Sequence, residues 1–500
     1  MFFRSSCQLE SPSIMPNATT HTAIEAKTVV VIGAGPGGYA CAIRLAQQGH
    51  QVTLIEKEAL GGTCLNWGCI PSKAFIHVGE YYHQLLSGES ESFGVCVKDP
   101  SLDWQKTVAW KEGILTRLRG GIQHLLTKHK VTILKGTATL GANRLVTIQL
   151  PAGEVQTLQP QAVVLAMGGK PAILPEFSAL LDGQFILNSN QLMNLPALPQ
   201  SLGILGGGVI GLELGCMMAH LGVKVDIIEF QPTVLAGWHA ETVKVFLQQL
   251  KALGVTLHLN TSLAETPVIN TEEPSVALKL KNRDTNQETP LTVEKLLLCI
   301  GRKPNSEGLA DAGVTLNGRG QVNVNNKLQT NIEGVYAIGD LIEGPQLAHK
   351  ATKEALLVAD VISGLPEVKD WRALPAVVYT APELAQVGLS EAKAKESGYP
   401  QATTVIFPLG ALGRSHTLTA GSSPKGHFIL VVDATTDVVL GGEVVAPNAG
   451  ELIAEIALAV ECGLTATDLA LTVHAHPTLS EGWMEIAEAV HKQAIHLFQG

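Results

Sequence analysis

The stretch TVVVIGAGPGGYACAIRLAQQGHQVTLIE, residues 28–56, decides how this chain folds. Thr28 to Ile32 is an apolar, β-branched run that reads as a buried strand. Gly33-Ala-Gly35-Pro-Gly-Gly38 follows, then a helical pattern from Tyr39 to Gln48, then a second strand, Gln51 to Ile55, that ends at Glu56. Alone, a GxGxxG match is a weak signal. Between a strand and a helix, with an acid closing the next strand, it reads as a dinucleotide site. The glycines let the main chain approach a pyrophosphate, which rests on the helix N-terminus, where N–H groups and the helix dipole favour negative charge. Glu56 is then placed to bind a ribose hydroxyl.

The unit recurs. Leu202 to Leu205 leads into Gly206-Gly-Gly208-Val-Ile-Gly211, a helix to His220 and a strand from Val223 to Ile228 that ends at Glu229. In both copies the acid lies 23 positions beyond the first glycine. The repeat implies two nucleotide sites on two doubly wound α/β domains. Glu229 implies NAD rather than NADP, because a carboxylate there repels a 2′-phosphate and no arginine follows in Phe230-Gln231-Pro232.

GGTCLNWGCIPSK, residues 61–73, holds Cys64 and Cys69 directly after the first unit. A close cysteine pair beside a nucleotide site suggests a thiol–disulfide couple that exchanges electrons with a bound redox cofactor. Such a pair inside a cell is more often catalytic or metal-binding than structural. Zinc ribbons use Cys-x-x-Cys twice, and no second pair occurs here. The other six cysteines (Cys7, Cys41, Cys96, Cys216, Cys299 and Cys462) are scattered through apolar sequence and read as buried free thiols. Pro71 suits the first turn of a helix running towards Leu86. Cys69 then lies at the positive end of that helix, where a thiol pKa falls to about 7 or below. Lys73, one turn on, either adds a positive charge on the same face or is an ordinary solvated lysine.

HAHPTLSE, residues 474–481, is the other chemical cluster. His476, in a proline-following loop with Glu481 five residues on, resembles a base with its orienting carboxylate. Thr478-x-x-Glu481 also reads as a capping box ahead of a helix from Met484 to Phe498. His474 and His476 could ligate a metal, but no matching third ligand is visible.

At 500 residues the chain suggests about three to four domains. Only 16% of residues are charged, which favours burial of surface in an oligomer, and the net charge of −10 argues against nucleic acid or an anionic membrane as partner. No apolar run reaches the length of about 18 residues that a membrane span needs. Residues 1–27 are polar, match neither a secretory signal nor a transit peptide, and read as a disordered tail, or as sequence upstream of a start at Met15. The expected compartment is the cytoplasm. Val131 to Met167 reads as strands returning to the first domain, 171–175 and 195–200 as linkers, and Thr330 to Asp340 as a buried strand. Past Trp371 the pattern is α+β, with a strand from His427 to Val432 and a helix from Ala449 to Cys462.

Together these residues resemble the dihydrolipoamide dehydrogenase branch of the flavin-dependent pyridine nucleotide–disulfide oxidoreductases, from about Thr28 to His491. GGTCLNWGCIPSK and HAHPTLSE carry the resemblance, and IGRKPN (300–305), AIGD (337–340), LAHKA (347–351), VVYTAPELAQVG (377–388) and AGELIAEIALAVE (449–461) fit it. It implies an α/β fold of two Rossmann-like domains, for FAD and NAD, plus a C-terminal α+β dimerisation domain. The implied division is 28–172 for FAD, 173–300 for NAD, 301–371 as a central part that completes the FAD site, and 372–500 as the interface. The first fingerprint (Gly33, Gly35, Gly38, Glu56) would hold FAD, with Asp340 at its ribityl chain. The second (Gly206, Gly208, Gly211, Glu229) would hold NAD, and Gly301 joins the cofactor-binding set. Cys64 looks like the thiol that exchanges with lipoamide and Cys69 like the one facing the flavin. Lys73 resembles the lysine beside the flavin that pairs with a carboxylate, here Glu213. His476 and Glu481 match the acid–base pair, which in the family comes from the other subunit of a homodimer. The implied partners are lipoyl domains of 2-oxoacid dehydrogenase or glycine cleavage complexes. The rivals are a related reductase of another disulfide or a metal ion, a nucleotide-holding scaffold subunit, and a two-Rossmann monooxygenase. Ala166-Met-Gly-Gly169, Leu409 to His416 and Gly482-Trp483 depart from the family pattern.

Overall fold

A computed structural model describes residues 25–419 and 423–499. Most of the segment 1–27 expected to be a disordered tail therefore lies outside the described residues. Val29, Val30, Val31 and Ile32 are all buried, as a strand covered on both faces requires. Thr28–Ile32 is the centre of an all-parallel sheet, in the order Val335–Ala337, Ala162–Leu165, Thr28–Ile32, Gln51–Glu56, Thr132–Lys135. The helix Pro36–Gln47 begins at the fingerprint and packs on the helix Ala348–Ile362 from late in the chain. Of the buried strand expected over 330–340, only Val335–Ala337 pairs. Gly339, at φ 73°, turns the chain into a 3₁₀ turn, Gly339–Leu341. That edge strand returns from more than 160 residues downstream of its neighbour Ala162–Leu165 and sets Asp340 beside the first fingerprint.

The second parallel sheet runs Thr256–His258, Lys224–Ile228, Ser201–Leu205, Lys295–Leu298, Ile186–Asn188. Because Ile186–Asn188 already pairs in it, the segment 195–200 is a loop within this unit and not a linker between units. A third, antiparallel sheet runs Ala376–Val378, Glu383–Gly388, Val439–Ala446, His427–Asp433, Ala402–Pro408. The helices Ala449–Cys462 and Glu481–Val490 pack against it. The last helix starts three residues before the expected Met484 and stops eight short of Phe498. Glu485 explains the early stop: its carboxylate accepts the main-chain N–H groups of Ile495 and His496 at 3.2 Å each and meets the His496 ring at 2.7 Å. Those bonds fold the following segment back onto the helix.

Two buried histidines give the fold a pH dependence. Burial, then the neighbouring His83, pushes His220 down to about 4; burial, then His239, pushes His427 down to about 4. The unfolded chain takes up these protons near the ordinary imidazole value of 6.5 while the native state refuses them. Each neutral ring therefore contributes full stability above that pH, and the contribution is lost as pH falls towards 4, by about 3 kcal/mol at most per ring. Urea midpoints at pH 7.5 and 5 should differ in that direction. Replacing His220 by Phe should shrink the difference, and an unchanged difference would refute its share.

Candidate active site

Both fingerprints have the same local construction. Gly33 N–H donates to Ile55 O at 2.8 Å and Gly206 N–H to Ile228 O at 2.9 Å, with φ of 99° and 110° that only glycine adopts readily. A Cβ on Gly38 would collide with the Gly33 carbonyl, and one on Gly211 with the Gly206 carbonyl. The middle glycines differ: a Cβ on Gly35 or Gly208 would meet nothing within 4 Å. No internal packing demands glycine there. The open space lies at the N-termini of Pro36–Gln47 and Val209–His220, neither of which has a side-chain cap. Uncapped N–H groups facing a cleared approach fit a pyrophosphate in each copy.

Glu56 accepts from Ala34 N–H at 2.8 Å and Glu58 N–H at 2.7 Å; Glu229 accepts from Gly207 N–H at 2.6 Å and Gln231 N–H at 2.7 Å. These bonds pin each carboxylate at its strand end, where a ribose would lie. One continuous cavity of ≈ 1940 Å³ is lined by Gly35, Glu56, Cys64, Cys69, Gly208 and Glu229, and also by Gly33, Gly38, Gly206, Gly301 and Asp340. That volume exceeds the upper end of about 1,000 Å³ for a site holding one small ligand. Gly211 does not line it, since its role is close packing beneath Gly206.

Cys64, in the short helix Gly62–Asn66, is disulfide-bonded to Cys69 with the Cα atoms 4.6 Å apart. Cys69 is the first residue of the helix Cys69–Leu86, whose N-cap is Gly68, so Lys73 lies one turn on along the same face. Lys73 Nζ meets Glu213 Oε2 at 2.8 Å, tying this helix to Val209–His220. The resemblance pointed to that pair across 140 residues of sequence.

Asp340 is positioned by groups to which the sequence reading assigned no role. Glu354 accepts Gly339 N–H at 2.8 Å, and Lys350 Nζ lies 2.8 Å from Glu354 and 3.3 Å from Gly339 O. Lys350 and Glu354 are 2% and 0% exposed, so the charges neutralise each other while holding both polar groups of the Gly339 residue. Arg302 Nε is 3.6 Å from Asp340 and Arg302 Nη2 donates to Gly169 O at 2.6 Å; Asn305 donates to Met167 O at 2.8 Å. The divergent 166–169 loop is thus held by side chains of IGRKPN.

His476 Nδ1 lies 2.8 Å from Glu481 Oε1, and Glu481 Oε2 accepts Thr478 N–H at 2.7 Å. Burial works to raise the Glu481 carboxyl, but Thr478 N–H and His476 outweigh it and hold the group below the usual carboxylate range. Only half of the expected capping box forms: Ser480 is the N-cap, and Thr478 Oγ1 donates to Ala475 O. His474 has its own carboxylate, Glu455, at 2.7 Å, which sequence reasoning did not find because the two are 19 residues apart. His476 is not in the cavity lining; its side chain is 77% exposed, near Leu471 at 77% and Val473 at 95%. The disulfide and the histidine–glutamate pair are therefore not brought together within one chain. The unusual Gly482-Trp483 has a packing reason. Trp483 is fully buried, edge-on to Phe428 at 5.0 Å between ring centroids, and a Cβ on Gly482 would lie 2.5 Å from Phe428 ring atoms.

Comparison with known proteins agrees with this construction. Residues 27–355 match the pyridine nucleotide-disulphide oxidoreductase family, and residues 374–487 match its dimerisation domain. The dihydrolipoyl dehydrogenase of Thermus scotoductus is 40% identical over 472 residues, covering 94% of this chain and 98% of the relative. That of Geobacillus stearothermophilus is 39% identical over 479 residues, covering 95% and 98%. Among solved structures, LpdA from Mycobacterium tuberculosis superposes with a TM-score of 0.84 at 26% identity, over 93% of this chain and 100% of its own. The HOCl-induced flavoprotein disulfide reductase RclA from Escherichia coli gives 0.80 at 26%, over 92% and 99%. Among the described residues no helix is long and apolar enough to cross a membrane, and no group of three or more candidate metal ligands occurs. By its matched domains, its near full-length relatives and its paired fingerprints, the chain belongs to the pyridine nucleotide–disulphide oxidoreductase family, oxidoreductases whose cofactors are FAD and NAD.

Proposed function

We propose that the chain is a dihydrolipoyl dehydrogenase. It oxidises the dihydrolipoyl group carried on a lipoyl domain, with NAD as final acceptor, as the E3 component of a 2-oxoacid dehydrogenase or glycine cleavage complex. One observation carries the reading: the Cys64–Cys69 disulfide opens into the same cavity as both glycine fingerprints. The relatives of that name, aligned over nearly their whole length, support the substrate.

In this reading Gly33, Gly35, Gly38 and Glu56 hold FAD together with Asp340, while Gly206, Gly208, Gly211 and Glu229 hold NAD, with Gly301 at its edge. Glu481 holds the Nδ1–H of His476, which leaves Nε2 free to take a proton. A substrate thiol gives its proton to that nitrogen, and the thiolate attacks Cys64 Sγ. The Cys64–Cys69 bond breaks, leaving Cys69 as a thiolate at a helix N-terminus near Lys73. The second substrate thiol attacks the substrate sulfur bonded to Cys64, and its proton passes to the departing Cys64 sulfur. Cys64 is released, and the lipoyl disulfide closes. Bound FAD supplies the two-electron acceptor that restores the protein disulfide and the hydride that reduces NAD.

Since His476 lies outside its own chain's cavity, a second copy supplies it, and the exposed Leu471 and Val473 beside it are the surface such a homodimer would cover. The division at 172, 300 and 371 follows from assigning one unit to each cofactor and one to dimerisation. A catalytic, reducible cysteine pair suits the cytoplasm. The test compares purified protein on lipoamide and glutathione disulfide, each with NADH and NADPH. Turnover should require lipoamide and NADH, and faster turnover of glutathione disulfide would overturn the reading in favour of another reductase of the same plan.

A further inference from the structure

We propose that Tyr379 is a positioning residue for the redox dithiol: its ring and its main-chain N–H together fix Lys73 and Glu213, so that a positive charge stays beside Cys69. The inference rests on the reading of the cavity as a flavin–dithiol site and adds a residue from outside both nucleotide-binding units.

Three contacts converge. Lys73 Nζ sits over the Tyr379 ring, 4.2 Å from its centroid. Tyr379 N–H donates to Glu213 Oε1 at 2.9 Å, while Lys73 donates to Glu213 Oε2 at 2.8 Å. Both oxygens of a nearly buried carboxylate are thereby committed, one to each neighbour. Tyr379 follows the strand Ala376–Val378 of the third sheet, so the docking of that sheet reaches the charge pair between the other two units. Lys73 is 31% exposed at the cavity wall, and a lysine so placed can swing into solvent. The aromatic face is a second anchor that opposes this.

The surroundings favour that arrangement. Glu80, on the same helix as Lys73, is pushed up to about 7 by burial and then by Glu383. Glu383 is itself raised by burial, although Gly450 N–H pulls it down. Near neutral pH Glu80 therefore carries less negative charge to draw Lys73 away from Glu213. Burial, then Glu383, Glu213 and Glu451, raises the Tyr379 hydroxyl, which keeps it neutral. The cation uses the ring, not the hydroxyl, so phenylalanine should serve equally well.

Holoenzymes of wild type, Tyr379→Phe and Tyr379→Leu, matched for flavin content, are reduced anaerobically with one equivalent of dihydrolipoamide. The long-wavelength absorbance of the thiolate–flavin contact is then followed against pH. Tyr379→Phe should overlay the wild type. In Tyr379→Leu the ratio of thiolate to thiol at a given pH should fall about three- to tenfold, with the KM for NAD within about twofold, since Glu229 and its loop are untouched. A leucine variant that titrates like wild type overturns the inference, and so does a phenylalanine variant that titrates like leucine. If the leucine variant loses flavin, Tyr379→Met takes its place with the same criteria. Wild-type enzyme with no such band would instead overturn the proposed function.

Discussion

Replacing Cys64 by serine should lower lipoamide turnover by about 10³-fold or more, because the sulfur that a substrate thiolate attacks is gone. Flavin should stay bound, since the glycines and Glu56 that would hold it belong to other contacts. NADH-driven reduction of an artificial acceptor that needs no dithiol should also persist. The disulfide closes a loop with a sequence separation of 5, so its loss should cost only about 2 kcal/mol of stability. Steady-state rates with lipoamide and with the artificial acceptor, alongside a thermal melt, make the measurement. Normal lipoamide reduction by this variant would remove the dithiol from the mechanism.

His476→Gln should slow the dithiol half-reaction by about 10²–10⁴-fold, the usual contribution of a positioned base. Glutamine can still donate to Glu481, which sits 2.8 Å from the ring nitrogen it would replace. The defect should be largest near neutral pH. It should narrow above a pH of about 9, where substrate thiols ionise without help. Stopped-flow reduction by dihydrolipoamide across pH reads both features. A rate near wild type at pH 7 would exclude His476 as the base, whichever subunit supplies it.

The paired fingerprints were legible because the chemistry of a close backbone approach is local. The collisions that a Cβ would make at Gly38 and Gly211 come from glycines five positions earlier, and the strand, turn and helix around them follow from short-range patterning. The capping role read at Thr478 and the extent of the last helix were less secure. There, side chains such as Glu485 compete for main-chain N–H groups over ten or eleven positions, and periodicity carries no record of that competition. The segment 195–200 departs from the expected linker for a similar reason. Its Pro- and Leu-rich composition marks a loop, but only the pairing of Ile186–Asn188 with Lys295–Leu298 tells which side of the boundary it lies on.

Two glycine fingerprints, the acid that ends the strand after each, and a cysteine pair at a helix start could be read from the chain alone, since each depends on spacing within one or two consecutive elements. The tertiary structure alone decided what surrounds them. Tyr379 against Lys73 and Glu213, Arg302 against Gly169 and Asp340, and the exposure of His476 away from its own chain's cavity all depend on units packing across long stretches of sequence. Such contacts are fixed by how sheets and helices dock, and docking is set by the summed burial of many side chains, not by any one motif.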